Sequence, residues 1–288
     1  MVVTLLTDFG TADYYAGAMR GAVLAVNPEA RVVDITHEIP AQDIESAAFT
    51  LLAAYSTFPT GTIHVAVVDP GVGSTRRPLV VVTKNYLFVG PDNGLFSHVC
   101  EREGEYEVFH LTNREFFRDA VSATFHGRDV FAPVAGALSL GVKPEELGER
   151  VADELRMESL AAVVSADGAI EGRVIHVDRF GNCVTNITRR ELADDAFERG
   201  ARLTLGGREI TSLRRFYAEE AGAEDVGGVR DDEEGLGVGG EEKGGREPFA
   251  IWGSAGFLEI SVNRDSAARV LNVARGRPVV ITPAKAGG

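Results

Sequence analysis

An alternation of β-rich apolar runs with segments of helical periodicity constrains the fold of this chain more than any other feature. The apolar runs are Val2–Thr7, Arg31–Thr36 and residues 62–68, and helical spacing of small and apolar residues fills 14–26 and 44–55. Strands that alternate with helices in this way fold as β-α-β units around a parallel sheet. The pattern predicts an N-terminal α/β domain with a largely parallel sheet, which we place at residues 1–160.

Three aspartates, Asp8, Asp34 and Asp69, lie at or near the ends of these predicted strands. Ligands of parallel sheets bind beyond the carboxyl ends of the strands. Asp69 opens a Gly-flanked loop, and Arg76 is placed to fold back over it as a directional, charge-complementary pair. An ordinary surface salt bridge is the alternative interpretation of the same spacing.

Asp8 belongs to the tight-turn sequence Thr7-Asp8-Phe9-Gly10. A carboxylate at a strand end suits a two-point grip on the hydroxyls of a ribose, and the glycine allows close approach. The alternative is that Asp8 caps the following helix. Neither a Gly-rich dinucleotide fingerprint nor a P-loop follows, so those two kinds of nucleotide site are not indicated.

A second polar cluster, His126-Gly127-Arg128-Asp129, lies between aromatic residues and runs into an apolar helix-like segment at 134–140. Polar side chains in such a setting must be paired or functional, because burying them unpaired is costly. Arg128 and Asp129 are able to anchor that helix. Gly127 leaves space beside the His126 imidazole for a small group, so the pair is a candidate site.

Beyond about residue 160 the sequence changes to short alternating β-runs with little helix. This pattern is typical of a small β-barrel or sandwich, which we place at residues 161–288. Residues 219–245 are Gly-rich, acidic and almost without aliphatic side chains. Such a segment buries too little apolar surface to offset the entropy of ordering, so we expect a mobile loop inserted between two barrel strands.

Composition narrows the classes of function. The net charge of −14 opposes binding of nucleic acid through its phosphates, although residues 217–247 hold much of the acidic excess. No apolar run reaches the roughly 20 residues that span a bilayer, and the first residues lack the basic segment of a signal peptide. Cys100 and Cys183 have neither CxxC nor zinc-like spacing. We expect a cytoplasmic protein without a metal centre that suits a cationic small molecule.

Several separated motifs occur together in one order along the chain. They are Thr7-Asp8-Phe9-Gly10 with Asp13, Asp69 with Arg76, Thr124-Phe125-His126-Gly127-Arg128-Asp129, Phe180-Gly181-Asn182 with Asn186, and residues 253–263. In this order they resemble the S-adenosylmethionine (SAM) hydrolases, or SAM hydroxide adenosyltransferases, relatives of the SAM-dependent fluorinase and chlorinase. The resemblance covers nearly the whole chain apart from the acidic segment. It implies an N-terminal α/β domain, a C-terminal β-barrel and a homotrimer with sites between subunits.

The resemblance also implies roles for residues of the first domain. Asp8 would hold the ribose hydroxyls, and Asp13 the amino end of methionine. Phe58 would pack near the nucleoside. Gly127 stands where the chlorinase also has a glycine and is expected to contact the substrate.

For the second domain the resemblance implies that Asp178 and Ser254 contact the amino-acid part of the substrate. Phe180 and Asn182 would hold the adenine. Ala255 stands where the fluorinase has an arginine that touches the carboxylate.

Asp69, Arg76 and His126 look like the Asp–Arg–His trio of the hydrolases, whereas the fluorinase has a Tyr-Ser pair at His126-Gly127 and an additional loop. The resemblance therefore implies attack of water at the ribose C5′ of SAM, giving adenosine and L-methionine without a cofactor. Three alternatives remain from the residues: a SAM-dependent halogenase, a metal-dependent nucleotide phosphatase that uses strand-end carboxylates, and a non-catalytic SAM or adenosine sensor.

Overall fold

The computed structural model describes residues 1–217 and 247–284. The acidic segment predicted at 219–245 lies outside these described residues. The chain divides into two compact units, Met1–Ser159 and Leu160–Gly288. In the described part of the chain, no helix combines the length and the apolar character needed to cross a membrane.

The first unit is built on a seven-stranded sheet. Its strands are β1 (Val2–Thr7), β2 (Arg31–Thr36), β3 (Ile63–Val67), β4 (Pro78–Thr83), β5 (Leu87–Pro91), β6 (Tyr106–Leu111) and β7 (Gly148–Val151). Its helices are α1 (Tyr15–Val26), α2 (Ile44–Ala54), α3 (Ser97–Glu103), α4 (Ala132–Ser139) and α5 (Pro144–Leu147). The helices predicted at 14–26 and 44–55 therefore form, and the second ends in the short 3-10 turn Tyr55–Thr57.

The strand order is β2-β1-β3-β5-β4-β6-β7. The first four strands in this order are parallel, whereas β4 pairs antiparallel with β5 and β6, and β6 with β7. The predicted parallel sheet is thus confirmed for one half only. A tight turn joins β4 to β5 and reverses the chain, whereas α1 and α2 supply the long crossovers that parallel neighbours need.

The parallel half of the sheet has a continuous hydrophobic core. Val3 and Leu5 of β1 and Val65 of β3 are fully buried together with Met19 and Val23 of α1. Strands that are buried on both faces need apolar side chains at successive positions, which explains the nearly unbroken apolar runs of β1 and β3. This packed centre determines where the strand ends lie.

The ends of β1 and β3 meet at one edge of the sheet. The two strands are parallel neighbours, with Thr7 opposite Val67. Asp8 follows β1 directly, and Asp69 follows β3 after one further residue, Val68. The two carboxylates therefore leave the sheet at the same edge, as the strand pattern predicts.

A π-helical turn, Gly127–Phe131, precedes α4. In it the Ala132 N–H bonds the Gly127 carbonyl, one residue further back than in an α-helix. Single π-turns are frequent at functional sites. This one begins immediately after His126.

The second unit is a nine-stranded sheet with one short helix. Its strands are β8 (Val163–Val164), β9 (Ile170–Val177), β10 (Cys183–Thr188), β11 (Arg202–Leu205), β12 (Arg208–Ile210), β13 (Leu213–Arg214), β14 (Pro248–Trp252), β15 (Phe257–Val262) and β16 (Pro278–Thr282), and its helix is α6 (Ala267–Leu271). The order is β12-β11-β16-β9-β10-β15-β14-β13, with β8 paired to β9. The predicted all-β unit is confirmed. No ladder joins β12 to β13 within the described residues, so the closed barrel stays a prediction.

Candidate active site

A cavity of about 390 Å³ lies where β1 and β3 end. Asp8, Asp69 and His126 all line it, together with Gly127. Its aromatic wall consists of Phe9, Tyr15 and Phe125. The ring centroids of this wall lie 5.1 to 5.8 Å apart. An apolar wall with a few convergent polar groups is the usual composition of a small-molecule site.

The predicted pair of Asp69 and Arg76 forms, with Asp69 in the wall of this cavity. Arg76 Nε donates to Asp69 Oδ1 over 3.1 Å, and Nη2 of the same guanidinium contacts Oδ2. The two side chains are only 4% and 7% exposed, so the alternative of a surface salt bridge is wrong. Two-point pairing fixes the plane of the guanidinium. Arg76 Nη1 is buried and has no hydrogen-bond partner among the described residues.

Gly73 allows the Asp69 loop to approach the loop that carries His126. Its φ of 77° lies in the left-handed region, and a Cβ there would lie 2.2 Å from the carbonyl oxygen of Ala123. No side chain fits in that space, and glycine also adopts this backbone conformation at no steric cost. The close contact brings Arg76 within reach of His126.

His126 is linked to Asp69 through Arg76. Its Nδ1 lies 3.0 Å from Arg76 Nη2. A guanidinium has only donors, so Nδ1 offers its lone pair and the neutral imidazole carries its proton on Nε2. Burial lowers the pKa of His126, and the positive charge of Arg76 lowers it further against the opposing effects of Asp69 and Asp129. The imidazole is therefore neutral at neutral pH.

Asp8 presents a carboxylate to the same cavity. The backbone N–H of Gln42 donates to Asp8 Oδ2 over 2.8 Å. Oδ1 has no partner among the described residues. Asp8 does not cap the following helix, because the N-cap position of α1 is Tyr14 and no side chain caps it. One carboxylate oxygen is thus fixed and the other is open to a ligand.

Arg128 and Asp129 pair with each other. Arg128 donates to the Asp129 carboxylate over 2.6 and 2.9 Å, and Ser122 N–H donates to it over 2.9 Å. Burial raises the pKa of Asp129, but these hydrogen bonds more than offset that effect and the pKa is lowered. Neither residue lines the cavity of Asp8. The anchoring interpretation of this pair is the one that the structure supports.

Two residues with implied substrate contacts are not brought to this cavity. Phe58 follows α2 and packs edge-to-face on His64, with ring centroids 5.7 Å apart. Because it precedes β3, it lies at the opposite end of that strand from Asp69. Asp13 is exposed in the loop before α1 and does not line the cavity. The position of Phe58 in this unit gives no support to a contact with the nucleoside.

In the second unit, Asp178 organises the turn that follows β9. Its Oδ1 accepts from the backbone N–H groups of Phe180 and Asn182 over 2.9 and 2.8 Å, and its Oδ2 accepts from Asn182 Nδ2 over 2.8 Å. Gly181 has a φ of 85°, and a Cβ there would collide with the Ser266 side chain. This stretch therefore forms a tight turn that the Asp178 carboxylate closes.

The same turn exposes a large apolar side chain. Phe180 is 78% exposed at the tip, whereas Asn182 is buried. Ser254 is exposed in the turn between β14 and β15. The adenine and amino-acid contacts implied for these residues stay predictions.

Sequence reasoning missed Gln42 and Glu259. Gln42 lines the cavity and binds Asp8, yet no local pattern marks it. Glu259 lies on β15 with its carboxyl group against Gly253, where a Cβ would lie 1.8 Å from Oε1. Burial, followed by the negative charge of Asp178, raises the pKa of Glu259. Two carboxyl groups therefore influence each other in this part of the second unit.

Within residues 1–217 and 247–284, no three His, Cys, Asp or Glu side chains are grouped closely enough to hold a metal ion. Cys100 and Cys183 are free and buried. Burial raises the pKa of Cys100 to about 12 and that of Cys183 to about 11. Both are protonated thiols at neutral pH.

Comparison with known proteins gives matches along nearly the whole chain. The family model of the SAM hydroxide adenosyltransferase N-terminal domain matches residues 3–148, and that of the C-terminal domain matches residues 172–280. A protein of Thermus thermophilus named (R)-S-adenosyl-L-methionine hydrolase is 35% identical over 96% of this chain and 98% of its own. A protein of the same name from Methanocaldococcus jannaschii is 36% identical over 94% of this chain and 92% of its own.

A halogenating relative is more distant. The fluorinase of Nocardia brasiliensis is 26% identical over 72% of this chain and 78% of its own. Among solved structures, an uncharacterized conserved protein from Thermotoga maritima superposes with a TM-score of 0.83 at 33% identity, covering 98% of this chain and all of that one.

Proposed function

The chain belongs to the SAM hydroxide adenosyltransferase family, and on that premise we propose that it hydrolyses S-adenosyl-L-methionine to adenosine and L-methionine. The observation that carries the proposal is the linked set Asp69, Arg76 and His126, of which Asp69 and His126 line the same cavity as Asp8. The names of the relatives specify (R)-S-adenosyl-L-methionine. We therefore propose that this chain also acts on the (R) epimer at the sulfonium sulfur.

The proposed step is an in-line displacement at the ribose C5′. The oxygen of a water molecule bonds to C5′ while the C5′–S bond breaks, and the bonding pair stays on sulfur. The sulfonium thus leaves as the neutral thioether of methionine and needs no proton. The water loses one proton, so the protein must position the water and accept that proton. Positioning alone contributes up to roughly 7–11 kcal/mol.

Within the trio we assign proton acceptance to His126, because it is a neutral imidazole and a general base contributes about 10²–10⁴-fold. Its Nδ1 lone pair faces Arg76 Nη2, so proton uptake there requires the guanidinium to give up this contact in the substrate complex. Arg76 Nη1 supports charge on the attacking oxygen. Asp69 orients the guanidinium.

Substrate contacts are assigned to residues of both units. Asp8 holds the ribose hydroxyls with the aid of its open Oδ1, and Gly127 leaves room for C5′. Asp13, Asp178 and Ser254 contact the amino-acid part, and Phe180 and Asn182 hold the adenine. Carboxylates suit a substrate that carries sulfonium and ammonium charges. The active form is a homotrimer in which two subunits complete each site, and the second unit is a closed barrel.

The test is chromatography of the purified full chain after incubation with each sulfonium epimer of SAM, in halide-free buffer with EDTA and oxygen-labelled water. Adenosine and methionine should form in equal amounts from the (R) epimer, with the label on adenosine. Activity that appears only when EDTA is left out of the buffer indicates a metal enzyme. Chloride-dependent formation of 5′-chloro-5′-deoxyadenosine indicates a halogenase. Bound but intact SAM in all conditions indicates a sensor.

A further inference from the structure

Gln42 has a backbone conformation that residues with a side chain rarely adopt. Its φ of 65° lies in the left-handed region. The start of α2 holds it there, because Ile44 N–H bonds the Gln42 carbonyl over 3.1 Å and Asp43 caps the helix by accepting from Ser46 N–H over 3.0 Å. Such conformations persist only where the surroundings impose them, and they cluster at functional sites.

This conformation directs the Gln42 N–H at Asp8. The hydrogen bond to Asp8 Oδ2 is 2.8 Å long and joins residues that are 34 positions apart. An N–H bond to a carboxylate is stronger and more directional than one to a neutral acceptor. It fixes the rotation of the carboxylate, so Oδ1 points in a defined direction within the cavity.

A second anchor lies on the other side of Asp8. Thr7 Oγ1 lies 2.8 Å from His37 Nδ1 and accepts from Phe9 N–H over 3.2 Å. Thr7 is fully buried and His37 is 3% exposed. With its proton on Nε2, which lies 3.1 Å from Asp34 Oδ1, His37 accepts at Nδ1 a hydrogen bond that the Thr7 hydroxyl donates. The hydroxyl oxygen is then free to accept from Phe9.

Backbone bonds complete this arrangement. Gly10 N–H donates to the His37 carbonyl over 2.7 Å, and Ile39 N–H donates to the Thr7 carbonyl over 3.4 Å. Asp34 is itself held by Arg20, whose Nε donates to Oδ1 over 3.0 Å. The chain before and after Asp8 is therefore bound to one segment, residues 34–42.

We propose that residues 34–42 position the Asp8 carboxylate for the ribose diol of the substrate, with His37 and Gln42 as positioning residues; this rests on the proposed function. The Thr7–His37 bond holds the turn, and the Gln42 N–H sets the rotation of the carboxylate. Neither residue takes part in the displacement at C5′.

The readout is the ratio of the dissociation constants of 2′,3′-dideoxyadenosine and adenosine, measured by calorimetry on the full chain. The two ligands differ only in the hydroxyls that Asp8 is proposed to hold. Wild type should prefer adenosine by about tenfold or more, the size of a hydrogen bond to a charged group. Asp8→Asn should reduce this ratio towards one.

Thr7→Val removes the hydroxyl group and keeps the shape of the side chain, so it should also reduce the ratio of the two dissociation constants towards one. Thr7→Ser keeps a hydroxyl group and should keep the wild-type ratio. KM for SAM should rise more than kcat falls. The matched control is Thr4→Val. Thr4 lies on the same strand as Thr7, and its Oγ1 makes a similar buried hydrogen bond with His64 Nδ1 over 2.7 Å. Thr4→Val should lower the melting temperature and leave the ratio unchanged.

Substitutions of Gln42 test the proposal without altering the buried core, because the Gln42 side chain is exposed. Gln42→Gly keeps both the N–H and the left-handed backbone, so the ratio should stay within about twofold of wild type. Gln42→Val places a β-branched residue where φ is positive and should reduce the ratio towards one.

Two results overturn the proposal in distinguishable ways. If Asp8→Asn brings the ratio of dissociation constants to about one while Thr7→Val and Gln42→Val leave it at the wild-type value, the positioning role of His37 and Gln42 is wrong. The assignment of Asp8 to the ribose hydroxyls then stands. If wild type itself shows a ratio near one, the ribose role of Asp8 is wrong and the positioning proposal falls with it.

Discussion

The two units hold their strand-end aspartates in different ways. In the first unit, Asp69 is paired with Arg76 of its own loop, and Arg76 in turn contacts His126, 50 positions further on. Asp8 is bound by the backbone N–H of Gln42, 34 positions away. In the second unit, the described hydrogen bonds to the Asp178 carboxylate come from Phe180 and Asn182, within its own turn.

This difference separates two kinds of site. The contacts of Asp8 with Gln42 and of Arg76 with His126 exist only when the whole unit is folded, and removing either partner of the buried Asp69–Arg76 pair leaves an uncompensated charge. The second is local turn chemistry, which forms wherever five consecutive residues adopt that turn. Substitutions in the first unit should therefore change chemistry and stability together, whereas those at the Asp178 turn should change binding alone.

The largest effect should follow from removing the imidazole of the linked trio. His126→Ala should lower kcat by about 10²–10⁴-fold, because the attacking water loses its proton acceptor. The affinity for adenosine should change little. Steady-state kinetics and calorimetry measure the two quantities. His110→Ala is the control, since His110 lies on β6 outside the cavity. An unchanged kcat in His126→Ala would falsify the role of the trio.

The next effect is on acid stability of the first unit. His64 is fully buried in β3, and burial lowers its pKa from 6.5 to about 4. Below pH 6.5 the unfolded chain binds a proton on His64 that the folded chain does not, so the free energy of unfolding decreases as pH falls towards 4. The shift corresponds to roughly 3 kcal/mol at most.

Hydrogen exchange at pH 7 and pH 4.5 checks this difference between units. Peptides of β1 and β3 should lose protection at the lower pH before those of β10 and β15 do. The double variant Thr4→Val with His64→Phe removes the titrating group and its hydroxyl partner together, and it should abolish the early loss. Equal loss of protection in both units would contradict the assignment to His64.

A smaller effect should follow from Asp178→Asn. The turn should persist, because the amide oxygen still accepts from the two backbone N–H groups, and the melting temperature should shift little. KM for SAM should rise by about tenfold, since a charged contact to the substrate becomes neutral. The control is Asp167→Asn, which also replaces a turn carboxylate in this unit. A large loss of stability with unchanged KM would mean that Asp178 has a structural role only.

The smallest effect should come from Gly127→Ala. A Cβ at this position would lie 3.1 Å from Met19 Sδ and 3.5 Å from the Phe9 ring. The flexible end of the Met19 side chain is able to move by a few tenths of an ångström. The free energy of unfolding should therefore change by less than about 1 kcal/mol. Thermal denaturation and kcat for SAM measure the result. kcat should fall modestly, because the added methyl group takes up space that the proposed site leaves for C5′. An unchanged kcat would contradict that role of Gly127.

Local pattern was sufficient for most elements of the fold. The apolar runs of β1 and β3, the helical spacing of α1 and the alternating runs after residue 160 appear as predicted. The sequence also indicates a strand pair at residues 79–82 and 86–89 with a turn at Lys84-Asn85, which the antiparallel pair β4–β5 confirms. Strands β6 and β7 of the same antiparallel half were missed. The Asp69–Arg76 pair was predictable, since both residues belong to one short Gly-flanked loop.

Other parts of the candidate site were beyond local pattern. Phe58 packs on His64, a contact that no local pattern indicates, and its expected place near the nucleoside stays a prediction. Gln42 was missed, because its role depends on a backbone conformation that the start of α2 imposes. Neither position is marked by residue type alone.

Sequence pattern alone gives the alternation of the first strands and helices, the positions of Asp8 and Asp69 beyond strand ends, and the resemblance to one family. Asp34, which was expected at or near a strand end, lies within β2. Periodicity and turn chemistry act over a few neighbouring residues, and these features need nothing more. The contact of Arg76 with His126, 50 positions away, and the hydrogen bond from Gln42 N–H to Asp8 are visible only in the tertiary structure. Contacts of that range depend on how loops leave a packed sheet, and the directions of those loops are set by the core as a whole.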